Sequence, residues 1–260
     1  MKLAISNIAW DKKDDKVVYE LMQKYWFSWL EIAPLRTFPN LFSTVQDEKQ
    51  DFVEKLNKYW ILPVAMQSLL YWRNDLKLFW DTRDELYEYV IKIIDFWADL
   101  WVKSFIFWSP KNRIYEWIDK NEAIKKWIDF FRKVWDFAKS KDIFLCIEPN
   151  PEIYWWNFMC NTKETLEFVK LINNPWIKLH LDLWTVIEKK ESINLIKTCI
   201  PYISHFHVSE PFLEPIQERN INLEIRNLLW WFNWFVSIEM KSTSLENIEK
   251  ALYYVNKIYG

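Results

Sequence analysis

At 260 residues the chain is long for one sandwich and has the size of one α/β barrel, so one domain over residues 1–260 is expected. Its 34 basic and 36 acidic residues leave a formal charge of -2, which excludes a global field drawing it to nucleic acid or anionic lipid. The start MKLAISNIAWDKKDD is too short an apolar run for a signal peptide, and no later segment nears a membrane-spanning length without charges. Cys146, Cys160 and Cys199 lack metal-ligand spacing and form no even set, so a cytoplasmic protein with reduced thiols is expected.

Strand and helix periodicities alternate along the chain. Strands are predicted at Leu3 to Ala9, Trp29 to Ala33, Ile61 to Ser68, Lys103 to Trp108, Ile143 to Glu148, Ile177 to Leu183, Tyr202 to Ser209 and Phe235 to Lys241. Amphipathic helices follow them at Asp14 to Tyr25, Asp47 to Tyr59, Thr82 to Leu100, Asn121 to Ser140, Thr162 to Ile172, Glu188 to Cys199, Glu214 to Leu228 and Leu245 to Ile258. In the third, Leu86, Tyr89, Val90, Ile93 and Ile94 form one apolar stripe with Asp84, Glu85, Glu88 and Lys92 off it. Eight strands alternating with eight helices predict a closed parallel (β/α)8 TIM barrel. No linker or composition break divides it.

One feature of the composition is foreign to a globular domain: 19 Trp and a single Gly, where glycine normally makes up roughly 7%. Trp26, Trp60, Trp101 and Trp176 stand between helix-like and strand-like segments, where a helix commonly ends on a residue at positive φ. Trp184 follows a strand, and Trp155-Trp156 and Trp230-Trp231 are adjacent pairs in predicted loops. The expectation is a gene that uses UGA for glycine, as some bacterial lineages do, written out with UGA as tryptophan. With Trp10 kept, eighteen of the 19 Trp become Gly and Gly260 brings the total to nineteen, close to the ordinary share.

Four apolar runs end on or carry a chemically active side chain: FLCIEPNP on Glu148, LHLDL on Asp182, SHFHVSE on His207 and FVSIEMK on Glu239. All four lie at the C-terminal ends of predicted strands, where a barrel builds its active site. Two Glu, one Asp and one His form a ligand set for one hard divalent cation with positions left open for substrate. Alternation along each strand pairs Cys146 with Glu148, His180 with Asp182, His205 with His207, and Ser237 and Lys241 with Glu239 on the inner face. Cys146 is expected to be core packing, and His180 and His205 to fill the layer beneath and support the ligands.

The motifs LEIAP from Leu30, IEPNP from Ile147, LHLDL(W/G)T from Leu179, HFHVSEP from His205 and SIEMK from Ser237 resemble the xylose isomerase-like barrels, in their sugar phosphate isomerase/epimerase branch. The resemblance spans essentially the whole chain, and glycine at Trp29, Trp108 and Trp184 improves it. It implies one divalent metal, commonly Mn2+, Mg2+ or Co2+, held by Glu148, Asp182, His207 and Glu239. In the ketose 3-epimerases of this group the two glutamates also move protons, which makes Glu148 and Glu239 the catalytic pair. The physics agrees: a carbon acid beside a carbonyl yields its proton to a carboxylate only if the developing enediolate is stabilised, which a cation on its oxygens does. The chain departs from those epimerases at Thr185, where they often carry a histidine.

Substrate contacts are expected from Glu31, Gln67, Lys111, Asn112, Arg113, Glu210 and Lys241, with Ser109, Arg36 and Arg73 beside them. Lys111, Arg113 and Lys241 would supply fixed cations for a phosphate or carboxylate, and Glu210 would touch substrate, orient His207 or pair with a nearby loop. The functional expectation is therefore a metal-dependent isomerase or epimerase of a sugar or sugar phosphate, with a homo-oligomer compatible with it. The alternatives are a keto-polyol dehydratase using the same enediolate, or a barrel that binds a sugar without turnover. Only three histidines occur, which disfavours a multi-zinc endonuclease.

Overall fold

The computed structural model describes residues 1–107, 109–154, 157–231 and 233–260. Trp108, at the end of the fourth predicted strand, and the pair Trp155-Trp156 lie outside the described residues. Eight parallel strands close into a barrel in chain order: β1 (Lys2–Ser6), β2 (Trp29–Ile32), β3 (Leu62–Met66), β4 (Ser104–Phe107), β5 (Phe144–Ile147), β6 (Ile177–Asp182), β7 (Ile203–Ser209) and β8 (Phe235–Glu239). β8 returns to β1, with Leu3 opposite Val236. The expected (β/α)8 barrel is the fold.

Around it run α1 (Asp15–Lys24), α2 (Pro34–Thr37), α3 (Gln46–Asn57), α4 (Arg83–Ala98), α5 (Lys120–Ser140), α6 (Thr162–Ile172), α7 (Leu183–Glu188), α8 (Ile193–Cys199), α9 (Asn220–Leu228) and α10 (Leu245–Tyr259). The apolar stripe of α4 is buried as its spacing requires: Leu86, Tyr89, Val90, Ile93 and Ile94 all face the barrel wall. Each such aliphatic contributes about 2 kcal/mol by leaving water, and Ile93→Ala would cost about 3 kcal/mol. Side chains of Asp119, Asn161 and Ser244 accept the first free N–H groups of α5, α6 and α10 and so fix where those helices begin.

Three boundaries differ from the periodicity. β1 stops at Ser6 because Asn7–Ala9 coils into a 3-10 turn. The predicted helix Glu188 to Cys199 begins only at Ile193, where Lys190 at φ 50 and the Ser192 cap set its start as α8, and an unpredicted helix, α7, precedes it, capped by the side chain of Asp182 directly after β6. The predicted helix from Glu214 starts only at Asn220, because Pro215 favours extended backbone before it. No helix among the described residues is long and apolar enough to cross a membrane.

At Trp26, Trp60, Trp101 and Trp117 the backbone is left-handed, with φ of 63, 58, 66 and 65. At Trp176 it is not: the left-handed turn after α6 falls on Asn173, φ 51, a residue that tolerates it.

Candidate active site

Glu148 is the first residue past β5, and the chain there is held from behind. Arg113, wholly buried, donates from Nη1 to the main-chain oxygen of Glu148 at 2.9 Å and from Nη2 to Oδ1 of Asn150. Asp182 ends β6, and its carboxylate accepts from the main-chain N–H of Trp184 and Thr185 and from Oγ of Ser209. Thr185 Oγ1 lies 3.0 Å from both Asp182 Oδ2 and Pro149 O, tying the two loops together. His207 comes from β7 opposite Asp182, and Glu239 closes β8 opposite Ser209. Gln67, just past β3, donates to Glu239 Oε1 at 2.8 Å and to Ser6 Oγ at 2.9 Å.

The barrel therefore brings Glu148, Asp182, His207 and Glu239 together: one ligand atom from each lies within 4.8 Å of the others, and all four side chains are buried. Three carboxylates so close in low dielectric repel one another. Burial first, then Glu239 and Asp182, push the Glu148 carboxyl well above the ordinary range. Burial and Glu239 raise Asp182 as well, against the hydrogen bond from Ser209. His207 is buried too, which opposes its charge, but Glu239 and Glu31 outweigh that and hold it well above its ordinary value. Glu148 Oε2 and His207 Nδ1 are buried atoms without a hydrogen-bond partner, and Nδ1 stands 3.1 Å from Glu239 Oε2. A divalent cation fits this donor set: three carboxylate oxygens and one imidazole nitrogen suit a hard or borderline ion.

Beneath lies a layer of Glu31, His180 and His205, each with no exposure. His205 Nε2 is 2.6 Å and His207 Nε2 2.8 Å from the Glu31 carboxylate. His180 is kept neutral by burial and by the neighbouring His207 and His205. Cys146 lies 3.2 Å from Ser204 Oγ, and burial pushes its thiol up to about 11, so it packs rather than reacts.

Above the four ligand-type residues opens a cavity of about 470 Å3. Glu148, Asp182 and Glu239 form its floor with Gln67 and Asn150. Ile8, Leu35, Tyr71, Trp72, Trp184 and Leu213 give apolar walls, and Arg36 and Lys241 are its cations. Arg36 pairs with Asp15 at 2.9 Å, and Lys241, half exposed beyond the end of β8, pairs with Glu214.

Of the expected substrate contacts, Gln67 and Lys241 line the cavity and the other five do not. Glu31 is enclosed beneath it by two histidines. Arg113 spends its Nη hydrogens on the turn after Glu148, and Asn112 donates to Arg73 O at 2.7 Å and to Leu76 O. Lys111 is exposed outside the cavity, and its carbonyl receives Lys77 Nζ. Glu210 is gripped by Arg219, Nε at 2.8 Å from both oxygens. Arg73 pairs with Asp75 and Glu85 on the surface. Sequence reasoning missed Ser209 and the supporting bond of Thr185. Ser209 was within reach, since it stands two residues after His207 on the same strand face.

The sequence matches the family described as xylose isomerase-like TIM barrel over residues 20–252. No curated protein matches it. Among solved structures, the fold is similar to a D-psicose 3-epimerase determined in the presence of D-fructose, with TM-score 0.81, 18% identity and 100% of each chain covered. It is similar to the D-psicose 3-epimerase of Clostridium cellulolyticum H10 with D-tagatose, at TM-score 0.79 and 18% identity over 100% of this chain and 99% of that one. The IOLI protein with a binding zinc atom is a third, at TM-score 0.72 and 16% identity over 100% of this chain and 95% of that one.

Proposed function

Since the chain belongs to the xylose isomerase-like TIM barrel family, we propose that it is a divalent-metal-dependent isomerase or epimerase of a sugar or sugar phosphate. The observation that carries this reading is the convergence of Glu148, Asp182, His207 and Glu239 on one point under a cavity. The solved neighbours named as D-psicose 3-epimerases support the same class. These four residues would hold one Mn2+, Mg2+ or Co2+. When bound, the cation supplies Lewis-acid stabilisation of negative charge developing on substrate oxygens.

The residues of the chain do the rest. One of Glu148 and Glu239 takes a proton from carbon beside the substrate carbonyl, leaving an enediolate, and the other returns a proton to carbon, so the net change is one of configuration or carbonyl position. Gln67 holds Glu239, and Arg113 holds the turn that carries Glu148. The apolar walls exclude water from the floor, which strengthens the electrostatics there. A phosphate or acidic group on the substrate would meet Lys241 at the rim. The test is chromatography of ketoses, ketose phosphates and keto-polyols incubated with the protein and Mn2+. Interconversion of isomers supports the reading, whereas loss of water from a keto-polyol would replace it with the dehydratase.

We further propose that the tryptophans other than Trp10 stand for glycine in the natural protein. Trp10 behaves as a genuine indole: it is buried, and Nε1 donates to Asp15 Oδ1 at 2.9 Å. Trp26, Trp60, Trp101 and Trp117 combine positive φ with exposures of 80%, 81%, 71% and 92%, so they pay backbone strain and bury little. The indole N–H groups of Trp97, Trp127 and Trp135 are buried without a hydrogen-bond partner. Glycine removes both costs. At Trp72 and Trp184 it would also widen the cavity.

A further inference from the structure

Glu31 is the acid on which two of the three histidines of the chain converge, and it has no exposure and no place in the cavity lining. Resting on the metal reading above, we infer that Glu31 is a positioning residue for that site. It fixes the His207 ring with Nε2–H turned down onto its carboxylate and Nδ1 turned up toward Glu148, Asp182 and Glu239.

An ionised carboxylate only accepts hydrogen bonds, so a ring nitrogen resting against it must carry the proton. His207 Nε2 lies 2.8 Å from Oε1 and 3.1 Å from Oε2 of Glu31. With one proton held on Nε2, the second proton that the carboxylates keep on the ring is the one on Nδ1, and its loss leaves the lone pair on Nδ1. Nδ1 is the atom that stands 3.1 Å from Glu239 Oε2 and makes no hydrogen bond. His205 does for Glu31 what Glu31 does for His207: its Nε2, 2.6 Å from Oε2, pins the carboxylate from the side so that it cannot swing away. The chain of contact runs from β7 across the barrel to β2 and back to β7. A second cation held by Glu31, His205 and His207 does not fit these distances, because ligands on one ion with bonds of about 2.1 Å stand about 3 Å or more apart. The pairs at 2.6 and 2.8 Å are hydrogen bonds.

Glu31→Gln tests this. The amide keeps the size but offers one accepting oxygen to two N–H groups and turns an NH2 against one ring. Two readouts are needed. In 15N-edited NMR of the metal-free protein, the wild type should give two downfield, hydrogen-bonded Nε2–H protons from His205 and His207, and the variant should lose at least one. In Co2+ titration followed by visible absorption, the variant should bind about 10- to 100-fold more weakly, while a purely structural Glu31 would change unfolding and leave Co2+ affinity alone. Unchanged Co2+ affinity, or a wild-type His207 without a proton on Nε2, overturns the inference. A wild type that takes up no Co2+ overturns the metal reading instead, and the NMR signals then decide the role of Glu31 separately.

Discussion

Arg113 donates to the main-chain oxygen of Glu148 at 2.9 Å from a position sealed from solvent. Its charge sits behind a cluster of three carboxylates, and burial lowers its own ionisation to about 10, with Glu148 acting in the opposite sense. Arg113→Met removes two charge-assisted bonds and should cost about 3 kcal/mol or more in urea unfolding. Arg113→Lys should recover little, because an ammonium cannot span a carbonyl and an amide oxygen as the planar fork does. Wild-type unfolding in both variants would show that the turn after β5 does not depend on this residue.

Metal-free stability should depend on pH with a sign opposite to that of the loaded protein. Glu148, Asp182 and His207 are all held above their ordinary values, so the folded chain binds more protons there than the unfolded one. Their contribution is complete below the unfolded values and lost as pH rises through the folded ones. Glu31 runs the other way, because the two histidines outweigh its burial and hold it below its ordinary value, so its contribution is lost as pH falls. Burial holds His180 and His205 below their ordinary 6.5, so they too add stability as pH rises to that value. The melting temperature in EDTA should therefore fall above pH 6.5, where only the raised groups still hold extra protons. With Mn2+ added it should rise, since the cation needs the ionised carboxylates and releases their protons. Parallel curves in EDTA and Mn2+ would contradict a metal at these four residues.

Ser209 and Thr185 hold Asp182 from two sides. Ser209→Ala should weaken Mn2+ binding by about tenfold, at the lower end of what a lost outer partner costs, with kcat little changed once metal saturates. Electron paramagnetic resonance of free Mn2+ measures the affinity directly. A lower kcat at saturating metal would place Ser209 in the chemistry rather than behind it.

The intact mass of the protein from its natural source should fall below that of the written sequence by eighteen Trp-to-Gly differences, leaving Trp10 as the single indole of the original 19. Expressed as written, each of the four indoles at positive φ should destabilise by about 1 kcal/mol relative to glycine. An unshifted natural mass ends the proposal.

Strand periodicity and the order of the βα units made the barrel legible, and the acids closing successive strands made the ligand-type quartet legible. Both signals are local: an apolar run states that a strand is buried, and its end in a barrel states where a side chain goes. The partners were not legible, because they are set by contacts far apart in sequence. Arg113 and Glu31 carry charges that in a sequence suggest solvent or substrate, yet one reaches 35 residues along the chain to Glu148 and the other 176 to His207. Nothing in SPKNR or LEIAP says that these side chains turn inward. The extra helix α7 was hidden for a related reason, since Asp182 serves at once as its cap and as candidate ligand.

Proton transfer at carbon by Glu148 and Glu239 on a metal site should leave an isotopic trace in the substrate. Its most direct test is deuterium entry into substrate carbon, followed by NMR in deuterated water with Mn2+, on ketoses, their phosphates and keto-polyols. Metal-dependent exchange in the wild type that falls by about a thousandfold or more in Glu148→Gln and in Glu239→Gln is the predicted result. Absence of exchange on every candidate by a protein that binds Mn2+, or exchange that survives both substitutions, would contradict it.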